Sequence, residues 1–204
     1  MAQGEKQGWW QCCTCKQSFT GAIEIGLAEE LWSRVRDQPM GSKDRLYAAG
    51  ILNRALYGQG KYAEAEQIQR ELLEVQRCLL GVEHPRTLLT TGGLALSLHL
   101  QGKHEEAEHL QRELLDVQRR VLGPDHPSTL LTTGDLATSL DGQGKYAEAE
   151  QMLRELLHAQ RRMLGPEHPS TLGTTCDLAS YLNKQGKHAE AELMQRELGL
   201  LDLQ

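Results

Sequence analysis

The residues with the clearest potential for chemistry are three cysteines near the N-terminus. Cys12 and Cys15 form a Cys-x-x-Cys pair, a spacing at which two thiolates can bind one zinc ion. A structural zinc site needs two further ligands, and the nearest cysteine and histidine, Cys78 and His84, belong to a different, repeated part of the chain. Cys12 and Cys15 are therefore weak candidate metal ligands, and we predict neither a resident metal nor another cofactor.

The remaining histidines and carboxylates form no catalytic pattern. His104 and His109 flank an acidic stretch, but two histidines on one helix bind a common metal when they are four residues apart. His84, His126 and His168 each precede a proline and are expected to be turn and cap residues. The carboxylates are expected on surface faces, where burial does not perturb them. We therefore predict that the protein is not an enzyme.

Composition disfavours several kinds of partner. The 204-residue chain has a formal net charge of −6, whereas phosphate contacts require clustered lysine and arginine. It has no apolar run near the roughly 20 residues of a membrane span, and residues 1–6 lack the apolar core of a secretory signal. Five cysteines without a secretory context are typical of reduced thiols. We expect a cytoplasmic protein that binds neither nucleic acid nor membranes.

The elements that position these residues repeat every 42 residues. The pair Gly-Lys recurs at Gly60, Gly102, Gly144 and Gly186, and the pair His-Pro recurs at His84, His126 and His168. A fixed period of this length is typical of a solenoid of helical hairpins, in which each unit buries its apolar face against its neighbours.

One repeat illustrates the expected hairpin. Pro127 suits the first position of a helix, where its missing N–H is not needed. Gly144 ends that helix, because a residue without Cβ tolerates the left-handed conformation. A second helix is expected from Lys145 to Met163. The inward-facing residues are expected to be Leu130, Leu131, Leu136, Ala137 and Leu140 in the first helix, and Ala149, Met152, Leu153, Leu156, Leu157 and Leu164 in the second.

Each second helix carries a glutamate four residues before an arginine, which is the favourable orientation for an ion pair on a helix surface. The pairs are Glu66–Arg70, Glu108–Arg112, Glu150–Arg154 and Glu192–Arg196. These charges form either a solvated helix face or a strip that binds a partner.

The first helices carry small residues at one shared repeat position, namely Gly50, Gly92, Gly134 and Cys176. A glycine inside a helix costs about 1 kcal/mol relative to alanine. The small side chains either permit close backbone approach or leave a groove open, or they are a relic of recent duplication, and the sequence does not distinguish these interpretations.

Two segments precede the repeats. Residues 1–20 do not share the repeat pattern and are expected to form a poorly ordered tail that contains cysteines. Residues 21–40 are expected to form an amphipathic helix that caps the first repeat. Its inward face is predicted to hold Ile23, Leu27, Leu31 and Val35. Residues 41–204 then form four helical hairpins.

Three motifs of the repeat together resemble a known family. Leu-Ala recurs in the first helix, Gln-Gly-Lys precedes Glu-Ala-Glu at the turn, and Leu-Gly-Pro precedes His-Pro between units. Over about residues 44–204 the pattern resembles the 42-residue tetratricopeptide repeats of kinesin light chains. The resemblance implies an all-α fold, a right-handed superhelical solenoid of helix-turn-helix repeats, whose concave wall is built from the first helices.

The resemblance also implies where partners bind. In kinesin light chains the concave wall binds short cargo peptides, often with an aromatic residue among acidic ones, and asparagines before the Leu-Ala pair hold the peptide backbone. This sequence has no such asparagines and no heptad segment of the kind that joins light chains to the motor heavy chain. The corresponding positions read Gly50-Ile51, Gly92-Gly93, Gly134-Asp135 and Cys176-Asp177.

Helical geometry on the implied superhelix gives the candidate groove residues. They are Tyr47, Arg54, Tyr57, Leu96, His99, Asp135, Thr138, Asp141, Asp177, Ser180 and Asn183. Because the C-terminal part of this wall is acidic, we hypothesise that a bound segment places a cationic side chain near Asp135 and Asp177. The alternative is that both aspartates are solvated and bind nothing.

The sequence therefore favours a protein-interaction scaffold whose partner is a protein or a peptide. Two alternatives stay open: a fragment of a zinc-binding, ligase-type protein with Cys12 and Cys15 as its remnant, or a passive structural spacer or oligomer. No repeat follows to cover the apolar edge at residues 198–201, which indicates either self-association or a longer natural array.

Overall fold

The computed structural model describes residues 22–39 and 41–201, and the regular structure in these residues is helical. The chain divides after Val82 into two compact units. The first unit contains α1 (Ala22–Val35), α2 (Lys43–Gly58) and α3 (Tyr62–Leu80). The second contains α4 (Pro85–Leu100), α5 (His104–Val121), α6 (Pro127–Gly142), α7 (Tyr146–Met163), α8 (Pro169–Lys184) and α9 (His188–Leu201). The predicted tail of residues 1–20, with Cys12 and Cys15, lies outside the described residues.

The first helix of each hairpin in the second unit begins at a histidine cap. Nδ1 of His126 accepts a hydrogen bond from the backbone N–H of Ser128 at 3.2 Å, and Pro127 occupies the first turn of α6. His84 and His168 cap α4 and α8 in the same way. The prediction that these three histidines are turn and cap residues is confirmed.

A left-handed glycine turns the chain from α6 into α7. Gly144 has a φ of 74°, which costs little in the absence of a Cβ. The N–H of Lys145 then donates to the carbonyl of Leu140 at 2.9 Å. This bond satisfies a carbonyl that the end of the helix would otherwise leave without a partner. The Gly-Lys motif therefore specifies the turn within the hairpin.

In the second unit each helix packs on the next one in the chain, and α4 also contacts α6. The first helices supply the most buried leucines, of which Leu136 and Leu140 in α6 and Leu178 and Leu182 in α8 expose 1% or less of their surface. They join leucines of α5 and α7 in one apolar cluster. Each first helix thus buries one face against second helices and leaves its other face to solvent.

In the first unit α1 packs on α2, and α2 packs on α3. Ile25 and Ala28 of α1 are buried against Leu52 and Leu56 of α2. The predicted inward face of α1 is wrong at Leu27, which exposes 37% of its surface. The predicted face through Leu27 and the observed face through Ala28 both have helical spacing. The face through Ala28 packs on α2, because its small side chain lets α2 approach closely.

Two leucines predicted to face the core of the second unit are exposed: Leu131 exposes 67% of its surface and Leu164 exposes 45%. Leu131 follows the half-buried Leu130 by one residue, and a step of about 100° around the helix carries it onto the solvent face. Leu164 lies beyond the end of α7 at Met163. The exposure of Leu131 leaves a large apolar side chain without a packing partner in its own repeat.

Measured against a bilayer, no helix within residues 22–39 and 41–201 has the length and apolar character needed for a crossing.

Candidate functional site

Direct side-chain contacts join α4 to α6 and α6 to α8. Nδ1 of His99 in α4 lies 3.2 Å from Oγ of Ser139 in α6. Nζ of Lys184 in α8 donates to the carboxylate of Asp141 in α6 at 2.6 Å. We call the surface that these three helices share the free face. Its exposed and half-buried side chains include Leu89, Leu96, His99, Leu131, Asp135, Thr138, Asp141, Asp177, Ser180, Asn183 and Lys184.

Two exposed leucines lie near the N-terminal ends of α4 and α6 on the free face. Leu89 exposes 78% of its surface and Leu131 exposes 67%, and both occupy the same position of the repeat on helices that touch each other. A single exposed leucine needs no explanation, but two on adjoining helices form an apolar row. Sequence reasoning missed both residues. The available signal was that this repeat position also holds Tyr47 and Gly173, so its side chain varies in size as a core position rarely allows.

Asp135 and Asp177 occupy one repeat position, one helical turn beyond this row. Partial burial raises the pKa of both carboxyl groups, although Asp177 is the more exposed of the two. Among the described residues, neither carboxylate accepts a hydrogen bond or pairs with a cation. A carboxylate that loses hydration without gaining a partner is destabilised. The structure thus places both predicted aspartates on the free face. A neighbouring cation would stabilise their ionised carboxylates.

Asp141, another candidate, already has a cation of its own. Nζ of Lys184 lies 2.7 Å and 2.6 Å from its two carboxylate oxygens. The same ammonium group lies 5.1 Å from the ring centroid of Tyr181 and 5.9 Å from that of Tyr146, within range of cation–π attraction. Burial, together with Asp141 and Asp177, raises the pKa of the Tyr181 phenol. This cluster fastens α8 to α6.

A pair of histidines occupies the corresponding place one repeat earlier. The ring of His99 lies 4.9 Å from that of His104 in α5. Burial and the neighbouring His104 lower the pKa of His99, although Asp141 opposes this shift. His104 also covers Gly142, where an added Cβ would lie 2.7 Å from ring atoms of the histidine. His99 is therefore a neutral packing and hydrogen-bonding residue at pH 7.

The other predicted candidates of the second unit are polar or half-buried. Oγ1 of Thr138 donates to the backbone carbonyl of Asp135 at 2.7 Å. Oδ1 of Asn183 lies 3.2 Å from Nδ1 of His188. Ser180 is exposed and Leu96 is half-buried. Ser180 leaves the most room of these positions for a bound chain.

The remaining three candidates belong to the first unit. Tyr47 exposes 53% of its surface. The guanidinium of Arg54 pairs with the carboxylate of Glu24 in α1 at 3.3 Å. The ring of Tyr57 meets that of Tyr62 edge-on, with 5.1 Å between centroids. Arg54 therefore contributes to the packing of α1 on α2 through an ion pair.

The glutamates of the second helices connect neighbouring hairpins. Glu108 accepts hydrogen bonds from Nε of Arg112 at 2.8 Å in its own helix, and from Nζ of Lys145 at 2.8 Å and Nε2 of Gln143 at 2.7 Å in the next hairpin. Glu150 makes the equivalent three contacts one repeat later. The predicted ion pairs four residues apart are confirmed at Glu66–Arg70, Glu108–Arg112, Glu150–Arg154 and Glu192–Arg196.

The expectation that burial leaves the carboxylates unperturbed is wrong for Glu108. Burial by itself would raise its pKa, but the hydrogen bonds from Lys145, Gln143 and Arg112 lower the pKa to about 2. Hydrogen bonds of the same kind lower the pKa of Glu150 against the effect of burial. Arg112 and Arg154 also form ion pairs with Glu148 and Glu190 of the following hairpin. The charged side chains of these two second helices therefore hold neighbouring hairpins together.

The shared glycine position of the first helices is not tightly packed. An added Cβ would lie 3.4 Å from Cδ2 of Leu114 at Gly92 and 3.5 Å from Cδ2 of Leu156 at Gly134, which are ordinary contact distances, and would meet nothing at Gly50.

We therefore expect Gly134→Ala to raise the free energy of unfolding by about 1 kcal/mol, because alanine restricts the unfolded chain and favours the helix. Gly142→Ala in the same helix provides the contrast, since its Cβ would displace the ring of His104. Urea unfolding of both variants measures the difference. A loss of stability in Gly134→Ala would show that the packing around this position cannot accept a methyl group.

Among the described residues, no group of three or more His, Cys, Asp or Glu side chains lies close enough together to hold an ion.

Comparison with known proteins gives one family and one fold. A tetratricopeptide repeat family model matches residues 52–118 and 89–162. The chain is 26% identical to a Podosopora anserina protein assigned as a kinesin light chain with nearly identical TPR-like repeats, with a TM-score of 0.76 over 87% of this chain and 85% of that one. No curated protein sequence matches the chain significantly.

Two more distant solved structures share the fold. BtubC (BKLC) from P. vanneervenii is 17% identical, with a TM-score of 0.69 over 86% of this chain and 70% of that one. Bacillus thuringiensis PlcR, solved in complex with the peptide PapR7 and DNA, is 13% identical, with a TM-score of 0.63 over 88% of this chain and 65% of that one. At these identities the likeness concerns the fold alone.

Proposed function

Because the chain belongs to the tetratricopeptide repeat family, we propose that it is a protein-interaction scaffold whose free face binds a segment of another protein. One observation carries this proposal: the exposed Leu89 and Leu131 lie on the same surface as Asp135, whose half-buried carboxylate has no partner among the described residues. Apolar surface and desolvated charge are both unfavourable in the isolated protein, and a bound segment would remove both costs.

The charged surfaces of the second helices are weaker candidates for the site. Arg112 and Arg154 each bind two glutamates, one in their own helix and one in the next hairpin. A partner that used these guanidinium groups would have to break contacts that hold the hairpins together. The free face imposes no such cost at Leu131 or Asp135.

The proposed contact residues follow from these geometries. We propose that Leu89, Leu131, Asp135, Thr138, Asp177 and Ser180 contact the partner, with Leu96 and Asn183 at its margins. The other candidates of the second unit, His99 and Asp141, have internal partners and support the shape of the surface instead. PlcR, which has the same fold, was solved with a bound peptide, so a scaffold role is compatible with the architecture.

A random peptide library selected against the purified protein tests this function. We expect the selected peptides to lose at least tenfold in affinity when Ser180→Trp fills the free face with an uncharged ring. Ala147→Trp, at an exposed position of α7, is the matched control and should leave affinity unchanged. A library that yields no binder, or binders that respond to Ala147→Trp and ignore Ser180→Trp, would contradict the proposal.

A further inference from the structure

Three lysines at or just beyond the C-terminal ends of α6 and α8 already have partners. Lys184 binds Asp141, Lys145 binds Glu108, and Lys187 binds Glu150, each with nitrogen–oxygen distances of 2.6–2.8 Å. The exposed Arg86 lies in the first turn of α4, seven residues before the position of Asp135 in the repeat, which is about 10 Å along a helix. Asp135 and Asp177 are therefore left as uncompensated negative charges beside the leucine row.

From this charge balance we infer that the free face selects a basic segment in which an aliphatic side chain neighbours a lysine or arginine. The inference rests on the proposed function and specifies the chemistry of its partner. An aliphatic side chain would cover Leu131, and the cation would meet Asp135, which lies four residues further along the same helix face. Side chains at this spacing are about 6 Å apart, within the reach of two consecutive side chains of a bound segment.

The repeat sets the spacing of a second cation. Asp177 occupies the position of Asp135 one repeat later, and α6 and α8 are in direct contact through Asp141 and Lys184. Neighbouring packed helices lie about 10 Å apart. A chain in the polyproline II conformation covers this distance in about three residues, and side chains three positions apart then lie on the same face. The preferred segment therefore carries two basic residues three positions apart, with an aliphatic residue beside the first.

An acidic segment would fit the same surface poorly. Its carboxylates would approach two ionised aspartates whose hydration is already reduced, and like charges repel more strongly in such surroundings. A basic segment would have the opposite effect and stabilise both ionised carboxylates. The pKa values of Asp135 and Asp177, which partial burial raises in the free protein, should therefore fall when the segment binds.

Fluorescent peptides measure this preference directly. One peptide carries Lys-Leu-x-Lys, a second replaces both lysines by glutamate, and a third replaces them by glutamine. Fluorescence anisotropy at several salt concentrations gives the three dissociation constants. We expect the basic peptide to bind at least tenfold more tightly than the other two and to weaken as salt screens the charges.

Neutralising the two aspartates provides the decisive variant. Asp135→Asn with Asp177→Asn is expected to weaken the basic peptide at least tenfold and to flatten its salt dependence. Asp116→Asn, an exposed aspartate of α5, is the control and should change neither. Because the carboxylates of Asp135 and Asp177 have no partner to lose, the double variant should melt no lower than the parent protein, so that weaker binding cannot be attributed to unfolding.

The outcomes separate this inference from the proposed function. If an acidic or uncharged peptide binds at least as tightly as the basic one and Ser180→Trp removes it, the inference is wrong and the scaffold function stands. If the basic peptide binds equally well after both aspartates are neutralised, the inference is also wrong. Light scattering that shows a dimer, dissociated by Ser180→Trp, would assign the free face to a second copy of the chain and overturn it.

Discussion

Replacing Glu108 with glutamine is expected to lower the free energy of unfolding at pH 7 by about 2 kcal/mol. The carboxylate exposes 12% of its side chain and accepts bonds from Arg112, Lys145 and Gln143, which join two hairpins. A pKa that falls from 4.5 to about 2 corresponds to about 3 kcal/mol of stabilisation. The two cations expose nearly half of their side chains and regain water in the variant, which reduces the loss.

Acid should remove this difference between the two proteins. The folded pKa of Glu108 lies below its usual value of 4.5, so its contribution is complete above about pH 4.5 and disappears as the pH falls toward 2. Urea unfolding of both proteins from pH 7 to pH 3 measures the change. Glu105→Gln, at an exposed position of the same helix, is the control and should cost less than 0.5 kcal/mol. Equal losses at Glu105 and Glu108, or a difference independent of pH, would refute the connecting role of Glu108.

The features that sequence reasoning predicted correctly are local ones. The cap of His126 on α6, the turn at Gly144 and the pair Glu108–Arg112 each depend on residues at most five positions apart. Helical spacing alone determines whether such residues meet. The family resemblance and the all-helical repeat fold rested on the same short motifs, and the structure and the family match confirm both.

What sequence reasoning missed depends on packing between hairpins. Lys145 reaches Glu108 across 37 positions, and Lys184 reaches Asp141 across 43, so neither contact is visible in one helix. The second contact removes Asp141 from the surface available to a cationic partner. Leu131 was placed in the core because adjacent leucines satisfy a helical stripe equally well on either side, and the neighbouring helices decide which of them is covered.

Leu131 and Leu136 of α6 allow a direct test of this distinction. Leu136→Ala is expected to lower the free energy of unfolding by about 3 kcal/mol, because Leu136 is fully buried and its removal leaves a cavity. Leu131→Ala should cost less than about 0.5 kcal/mol, because 67% of this side chain is already in water. The same substitution in the same helix makes the helix-propensity contributions nearly equal, so the difference reports packing.

The loss of peptide affinity should be larger for Leu131→Ala than for Leu136→Ala, which is the reverse of the order expected for stability. Leu131→Ala is expected to weaken a peptide bound on the free face by about tenfold, since it removes about 1.4 kcal/mol of apolar contact, whereas a folded Leu136→Ala protein should bind almost normally below its melting temperature. Chemical unfolding and fluorescence anisotropy on the same samples give both quantities. If Leu131→Ala destabilises the protein as much as Leu136→Ala, Leu131 is a core residue, and the free face then lacks the apolar row on which a scaffold function depends.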